Sequence, residues 1–147
     1  APRDSGLVPF VALSAPTGAV SFVRSMMDNN TVRANGRKSE TVAGIILRVD
    51  AARVNVSSCV FARNSVQLHA VPPVTTRVDG GLVRLQARGS VLLAASWFTD
   101  NALSVVDPSN LNQAAGGLLR ALSGNDAVEL LSLLFARNHV EFLGELR

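Results

Sequence analysis

The chain has 147 residues, of which 48% are apolar and only 17% are charged, and its formal net charge is +3. This composition is too apolar for a disordered chain, and no apolar run reaches the about 18 residues that a membrane-spanning helix needs. The charge is too small, and the aromatic residues too few, to predict a nucleic-acid partner. The single cysteine, Cys59, cannot form an internal disulfide, and its apolar neighbours predict a buried thiol.

A four-residue pattern recurs along the whole chain. It consists of Phe or Met, any residue, Arg or Asp, and then Asn. Such a period predicts a repeat architecture in which each unit packs on the next. The pattern begins at Met26, Phe61, Phe98 and Phe135, so successive copies lie 35, 37 and 37 residues apart.

Glycines precede three of the four copies, and the first copy is degenerate because it has the apolar stretch 8–13 in their place. These landmarks divide the chain into repeats at approximately 7–40, 41–77, 78–114 and 115–147. We therefore expect one domain over residues 1–147, either a segment of a longer chain or one unit of an assembly. The glycines are Gly44, Gly80, Gly81, Gly116 and Gly117.

Each repeat is predicted to contain three strands. A strand follows the glycines, and a turn, a second strand, a tight bend and a third strand ending at Phe come next. Apolar residues are spaced by two, then three, then two, which indicates two short strands on either side of a bend. A small residue occupies the bend, namely Ser58, Ala95 or Ser132. We expect loops after Asn, with a short helical turn at Leu111–Ala115.

Three strands cannot bury their own apolar faces, so the repeats are expected to stack with equivalent strands in parallel. The fold class predicted from this pattern is an all-β, right-handed parallel β-helix of about four coils, with roughly 35–37 residues per coil. Its two ends expose unpaired backbone and apolar columns. We therefore expect protein partners, or further coils of the same chain, at both ends.

Stacking predicts three structural columns along the molecule. The first is large and apolar, and the second is an asparagine ladder at a corner where Asn accepts a left-handed backbone. The third alternates in charge, which avoids repulsion between neighbouring strands. The columns are Met26, Phe61, Phe98 and Phe135; Asn29, Asn64, Asn101 and Asn138; and Asp28, Arg63, Asp100 and Arg137.

Paired glycines followed by Phe-x-x-Asn resemble the repeat of polymorphic outer membrane proteins. The pattern is complete at Gly80, Gly81, Phe98 and Asn101, and the copy from Gly116 to Asn138 also has it. The residues after the glycines depart from the family, because this chain has Leu-Val and Leu-Leu there. The resemblance implies a parallel β-helix and a role in adhesion and surface display, outside the cell or at its surface.

The search for chemistry finds no catalytic, metal-binding or cofactor-binding constellation. Glycoside hydrolysis needs two carboxylates about 5–10 Å apart, and the acids here do not fall at equivalent positions of neighbouring repeats. His69 and His139 lack partners at metal-ligand spacing. Arg84 and Arg120 share a position after the glycines and Arg48 lies one residue off, which predicts an outward basic stripe with a weak ligand-binding potential.

The leading functional hypothesis is a non-enzymatic extracellular or surface module with a structural or adhesion role. A carbohydrate or a host surface is the ligand that an adhesion role predicts. One alternative is a fragment of a carbohydrate-active protein, such as a polysaccharide lyase, hydrolase or tailspike-like protein, with its active site on other coils. Another is a structural component of a larger fibre or particle.

Overall fold

The computed structural model describes residues 9–36, 40–70, 76–106, 111–115, 117–124 and 127–143. These residues form seventeen β-strands, so the all-β prediction is confirmed. The strands are β1 (Val11–Val23), β2 (Met26–Asp28), β3 (Thr31–Gly36), β4 (Glu40–Val42), β5 (Leu47–Ser57), β6 (Val60–Ala62), β7 (Ser65–Ala70), β8 (Thr76–Asp79), β9 (Val83–Ala87), β10 (Val91–Ala94), β11 (Trp97–Thr99), β12 (Ala102–Val106), β13 (Leu111–Ala115), β14 (Leu119–Ser123), β15 (Val128–Leu131), β16 (Leu134–Ala136) and β17 (His139–Leu143).

Alternating side chains explain why these segments form strands with one buried face. In β5, Leu47, Val49 and Ala51 are buried, whereas the intervening Arg48 and Asp50 are exposed. This period of two is that of a strand whose faces meet different surroundings.

Every pairing among the described strands is parallel, and the strands form four sheets. The largest has six strands, in the order β14–β9–β5–β10–β15 with β1 also paired to β5. The other three have the orders β16–β11–β6–β2, β17–β12–β7–β3 and β13–β8–β4.

The predicted fold class, a single right-handed parallel β-helix of about four coils, is wrong. The strands are grouped in four separate parallel sheets, and no single right-handed solenoid is indicated. The largest sheet departs from the expected order because β9 and β10, which follow each other in the chain, both pair with β5. This 11-residue strand pairs with β9 through its first half and with β10 through its second half, where the sequence predicts two strands and a turn.

The number of strands in each repeat is also corrected. The stretch after each asparagine forms a strand and not a loop, as β7 and β12 demonstrate. The helical turn predicted at Leu111–Ala115 is likewise strand β13. In β7 and β12 the inward residues are Val66, Leu68, Leu103 and Val105, all almost fully buried. Their burial stabilises an extra strand that the loop prediction overlooked.

Tight bends at two positions of each repeat depend on left-handed backbone. The predicted bend residues Ser58, Ala95 and Ser132 all have a φ of +48° to +53°. The second bend was predicted at the asparagines, but the left-handed residue is the one before each of the last three. A non-glycine residue in this conformation costs about 1–2 kcal/mol. The left-handed residues at the second bend are Asn29, Arg63, Asp100 and Arg137.

Gly81 lies where two neighbouring strands come closest to its backbone. A Cβ atom there would stand 2.4 Å from the Gly117 carbonyl oxygen and 2.5 Å from Leu103 Cδ2. Only glycine fits such a gap. Gly116, the other glycine of that predicted pair, lies outside the described residues.

The strands of the first and last repeats form the two ends of the sheets. We call β1, β2 and β3 the N-terminal layer and β14, β15, β16 and β17 the C-terminal layer. Among the described strands, each strand of these two layers pairs with one other strand only. The core lies between the two layers and includes Ile45, Ile46, Phe61, Leu85, Leu93 and Phe98.

Candidate interaction surface at the C-terminal layer

An aromatic column runs through the core and ends at the C-terminal layer. The rings of Phe61 and Phe98 are stacked with centroids 4.8 Å apart, and those of Phe98 and Phe135 are also 4.8 Å apart. Phe22 lies beyond Phe61, at 6.4 Å. Parallel pairing in register produces this spacing, because neighbouring strands lie about 4.8 Å apart.

The first predicted member of this column, Met26, is wrong by one residue. Met27 pairs in register with Phe61 and is buried, whereas Met26 pairs with Val60 and is 63% exposed. A period-two strand turns the next residue to the opposite face, so a shift of one position moves Met26 outward.

Buried asparagines form a hydrogen-bonded ladder beside the aromatic column. The Asn64 side-chain Nδ2 donates to Asn101 Oδ1 at 3.0 Å, and Asn101 Nδ2 donates to Asn138 Oδ1 at 3.0 Å. Each backbone N–H donates to the same oxygen, at 3.1 Å from Asn64 and 3.0 Å from Asn101. The second proton of each amide bonds to the preceding repeat, since Asn101 Nδ2 donates to Phe61 O at 2.8 Å.

The ladder begins at Asn30, not at the predicted Asn29. Asn30 Nδ2 donates to Asn64 Oδ1 at 2.9 Å, whereas Asn29 occupies the left-handed bend. The sequence carries a signal that would have fixed this register. Val32 stands two positions after Asn30, as Val66 stands two positions after Asn64.

The charged column resolves into two ion pairs. Arg63 donates to Asp28, and Arg137 contacts both carboxylate oxygens of Asp100, at 2.7 Å and 3.0 Å. The Arg137 hydrogen bond holds the pKa of Asp100 below its ordinary value, and the Arg63 charge adds a smaller lowering. Asp28 pairs with Ala62 in the sheet and so lies one position from the level of Arg63.

The predicted basic stripe is in register but partly neutralised. Arg48, Arg84 and Arg120 are direct strand partners, because Gly44 lies opposite Gly80 and not opposite Gly81. Arg84 and Arg120 both contact Asp79, which stands one position before the glycine pair. The exposed Arg48 is therefore the member most open to a ligand.

The C-terminal layer exposes the residues that other repeats bury. Leu130 is 51% exposed and Phe135 is 48% exposed, whereas their register partners Leu93 and Phe98 are fully buried. Soluble monomers rarely expose large contiguous apolar patches without a binding role. The large exposed apolar residues of this layer are Val128, Leu130, Leu131, Leu134, Phe135 and Val140.

Two shallow features lie on the outward faces of the sheets. A groove of about 420 Å³ is lined by Arg33, Gln67, His69 and Ser104, among others. An outward apolar row crosses the β2–β6–β11–β16 sheet and includes the exposed Trp97. Neither feature buries a polar or charged side chain in a pocket, so both are weaker candidates than the C-terminal layer.

The carboxylates sit beside neutral or basic neighbours. Asp50 lies between Ser14 and Gln86, and Glu129 lies beside Leu92. In the part of the chain that the structure describes, no group of three or more His, Cys, Asp or Glu side chains could hold a metal ion. Over the same residues, no helix has the length and apolar character needed to cross a membrane.

Comparison with known proteins finds no matching family model, no matching curated protein and no matching solved structure.

Proposed function

We propose that this chain is a non-enzymatic structural module that takes part in assembly or adhesion, at the cell surface or outside the cell. The observation that carries the proposal is the apolar C-terminal layer. Its strands continue the register of the core, yet its inward residues Leu130 and Phe135 remain half exposed. Covering such a surface with another protein is favourable by about 25 cal/mol per Å² of buried apolar area.

The surface location and the adhesion role rest on the repeat itself. The glycine pair and the Phe-x-x-Asn motif resemble the repeats of polymorphic outer membrane proteins, which implies display outside the cell. A carbohydrate or host-surface ligand belongs to this adhesion role. The groove lined by Arg33, Gln67 and His69 is the polar surface on which such a ligand is expected.

The neighbours of the carboxylates favour a structural role over the alternative of a carbohydrate-active fragment. Retaining and inverting glycosidases need a pair of carboxylates about 5–10 Å apart. Here Asp28, Asp79 and Asp100 are each held by arginine. Arg137 holds the pKa of Asp100 below its ordinary value, which makes that carboxyl a poor general acid. The remaining alternative, a component of a fibre or particle, is compatible with the same apolar layer.

Dye binding to two matched variants tests the proposal. Leu130→Glu places a charge in the exposed layer, so the protein should stay folded while its binding of an anilinonaphthalene sulfonate dye falls. Leu93→Glu changes the same position of the preceding repeat and should unfold the chain, because it buries an unpaired charge. If the wild-type chain binds no dye at a concentration where it is monomeric, its C-terminal layer is covered within the single chain and the proposal fails.

Incubation with a panel of polysaccharides separates the two functional classes. The structural proposal predicts no new reducing ends and no unsaturated products. Release of either product, and its loss in Asp50→Asn, would instead support the carbohydrate-active alternative, since Asp50 is exposed and outside the ion pairs described above.

A further inference from the structure

We infer that the C-terminal layer of one copy binds the N-terminal layer of a second copy, head to tail and in the same register that joins the repeats within the chain. The inference rests on the proposed function in one respect, namely that the C-terminal layer is an interaction surface. It goes further by naming the occupant. Three separate properties of the two layers are complementary: the hydrogen-bonding groups, the apolar residues and the charges.

The ladder residue of the C-terminal layer offers a hydrogen-bond donor where that of the N-terminal layer offers an acceptor. Inside the chain, the backbone N–H and side-chain amide of each ladder asparagine donate to the Oδ1 of the asparagine in the following repeat. Among the described residues, the Asn138 backbone N–H has no such acceptor and Asn30 Oδ1 has no such donor. A second copy placed after the C-terminal layer brings Asn30 Oδ1 above Asn138 and extends the ladder by one rung.

The backbone edges match in the same way. Within the chain, the N–H of the left-handed residue bonds to the next repeat, as Asp100 N does to Ala136 O at 3.0 Å. The same register would join Arg137 N to the Asp28 carbonyl oxygen of the second copy. It would also join Thr31 N of the second copy to Asn138 O, as His139 N is joined to Asn101 O within the chain.

Apolar residues face apolar residues when the observed register is extended by one layer. Phe135 meets Met27 of the second copy, since both are register partners of the Phe61–Phe98 column. Other apolar residues of the two layers match as well, and those of the C-terminal layer are all exposed in the single chain, as are Val23 and Met26 of the N-terminal layer. The resulting pairs are Val128 with Val20, Leu130 with Phe22, Leu131 with Val23, Leu134 with Met26 and Val140 with Val32.

Opposite charges also meet in this arrangement. Arg33 occupies the same register as Gln67, Ser104 and Glu141, so Glu141 would lie against Arg33 of the second copy. Within the chain, Glu141 Oε2 lies 3.7 Å from His139 Nε2. Arg137 would lie between Asp100 and Asp28 of the second copy, which continues the alternation of charge. Like charges opposite each other would have opposed this register.

The contact is heterologous, because it joins two different surfaces. Each added copy would present a new C-terminal layer, so association would continue into a filament unless another protein covers the end. A head-to-head or tail-to-tail dimer would instead pair two like layers, so Asn138 would not meet Asn30 Oδ1 and the ladder would not continue.

Cysteine cross-linking tests the orientation directly. Met26 and Leu134 face outward, and partners at this position should bring their Cα atoms to about 4.8 Å, within disulfide range. We expect a mixture of Met26→Cys and Leu134→Cys chains to form a mixed disulfide dimer under mild oxidation, with little from either chain alone. A mixture of Met26→Cys and Trp97→Cys chains gives a matched control, because Trp97 is also exposed but lies outside the C-terminal layer. The native Cys59 is buried and should not interfere.

Two cross-linking results would overturn the inference. One is a yield from the mixture no greater than from the Trp97→Cys control. The other is efficient dimerisation of Leu134→Cys alone, which would indicate contact between two C-terminal layers.

Charge reversal measured by sedimentation velocity gives a second test. Glu141→Arg places like charges against Arg33 and should weaken association about tenfold, and adding Arg33→Glu in the same chain should restore it. Glu129→Arg is the matched control, since Glu129 would meet the neutral Ser21. Equal weakening by both reversals, or a wild-type chain that stays monomeric at every concentration, would refute head-to-tail binding. Dye binding that persists in such a monomer would leave the proposed function intact.

Discussion

The third and fourth repeats carry the same sequence pattern in the same register, yet only the third is buried. Phe98 and Phe135 are direct strand partners, and each begins the same motif. Phe98 is fully buried because it has a phenylalanine on both sides, whereas Phe135 stacks on one phenylalanine among the described residues and is 48% exposed. Burial in this molecule is therefore decided by the neighbouring repeats more than by the sequence of any one repeat.

Asn101 and Asn138, the ladder residues of the third and fourth repeats, differ in burial in the same way. Asn101 is 1% exposed and bonds to the repeats before and after it. Asn138 accepts from Asn101 and donates to Phe98 O at 2.7 Å, but its other side is open among the described residues. A buried polar group without a partner is costly, whereas an exposed one can bond to water. The interior therefore depends on its ladder far more than the C-terminal layer does.

Truncating the two phenylalanines should give the largest difference between the layers. Phe98→Ala removes a fully buried ring from between two others and should cost about 3–5 kcal/mol. Phe135→Ala removes a half-exposed ring and should cost about 1–2 kcal/mol. Urea denaturation of both variants measures the difference. Equal costs at a concentration where the chain is monomeric would contradict the exposed C-terminal layer.

The asparagine ladder should show the same ordering with a smaller effect. Asn101→Ala leaves the Asn64 amide and Phe61 O unsatisfied in the interior, so we expect a loss of about 2–4 kcal/mol. Asn138→Ala exposes its former partners to water and should cost about 1 kcal/mol or less. Thermal and urea unfolding of both variants provide the comparison. A larger loss for Asn138→Ala would mean that the C-terminal layer is covered in the isolated chain.

Much of the arrangement could be predicted where the sequence pattern is strong. The gapless match of Val54 and Phe61 with Val91 and Phe98 predicts their pairing in the sheets, and the structure has the same register. The apolar spacing also predicts tight bends at small residues such as Ala95, and the structure has a bend there, with a left-handed backbone that the spacing did not predict. These features depend on local geometry and a fixed period, which one sequence can display.

The failures occur where the physical cause is not local. One continuous β5 pairs with two strands of the next repeat, so the sheets do not follow the predicted single solenoid. In the first repeat, "MMDNN" offers two registers to the motif, and the burial of Met27 agrees with the register that Val32 indicates. The ion pair between Asp79 and Arg120 joins residues 41 positions apart in the sequence. No pattern within a single repeat indicates such a contact.

The smallest expected effect concerns the exposed ion pair that joins the third repeat to the C-terminal layer. Arg137 lowers the pKa of Asp100 chiefly through its hydrogen bond, so Arg137→Gln should raise that pKa towards its ordinary value. Arg63→Gln removes only a more distant charge and should raise it less. Because the folded-state pKa lies below the unfolded one, the pair stabilises the chain above the unfolded pKa. That stabilisation is lost as pH falls through the folded pKa.

NMR titration of the Asp100 carboxyl measures each midpoint, and added salt should diminish the Arg63 effect first. A larger rise with Arg63→Gln than with Arg137→Gln would mean that Asp100 bonds within the interior repeats and not to the C-terminal layer.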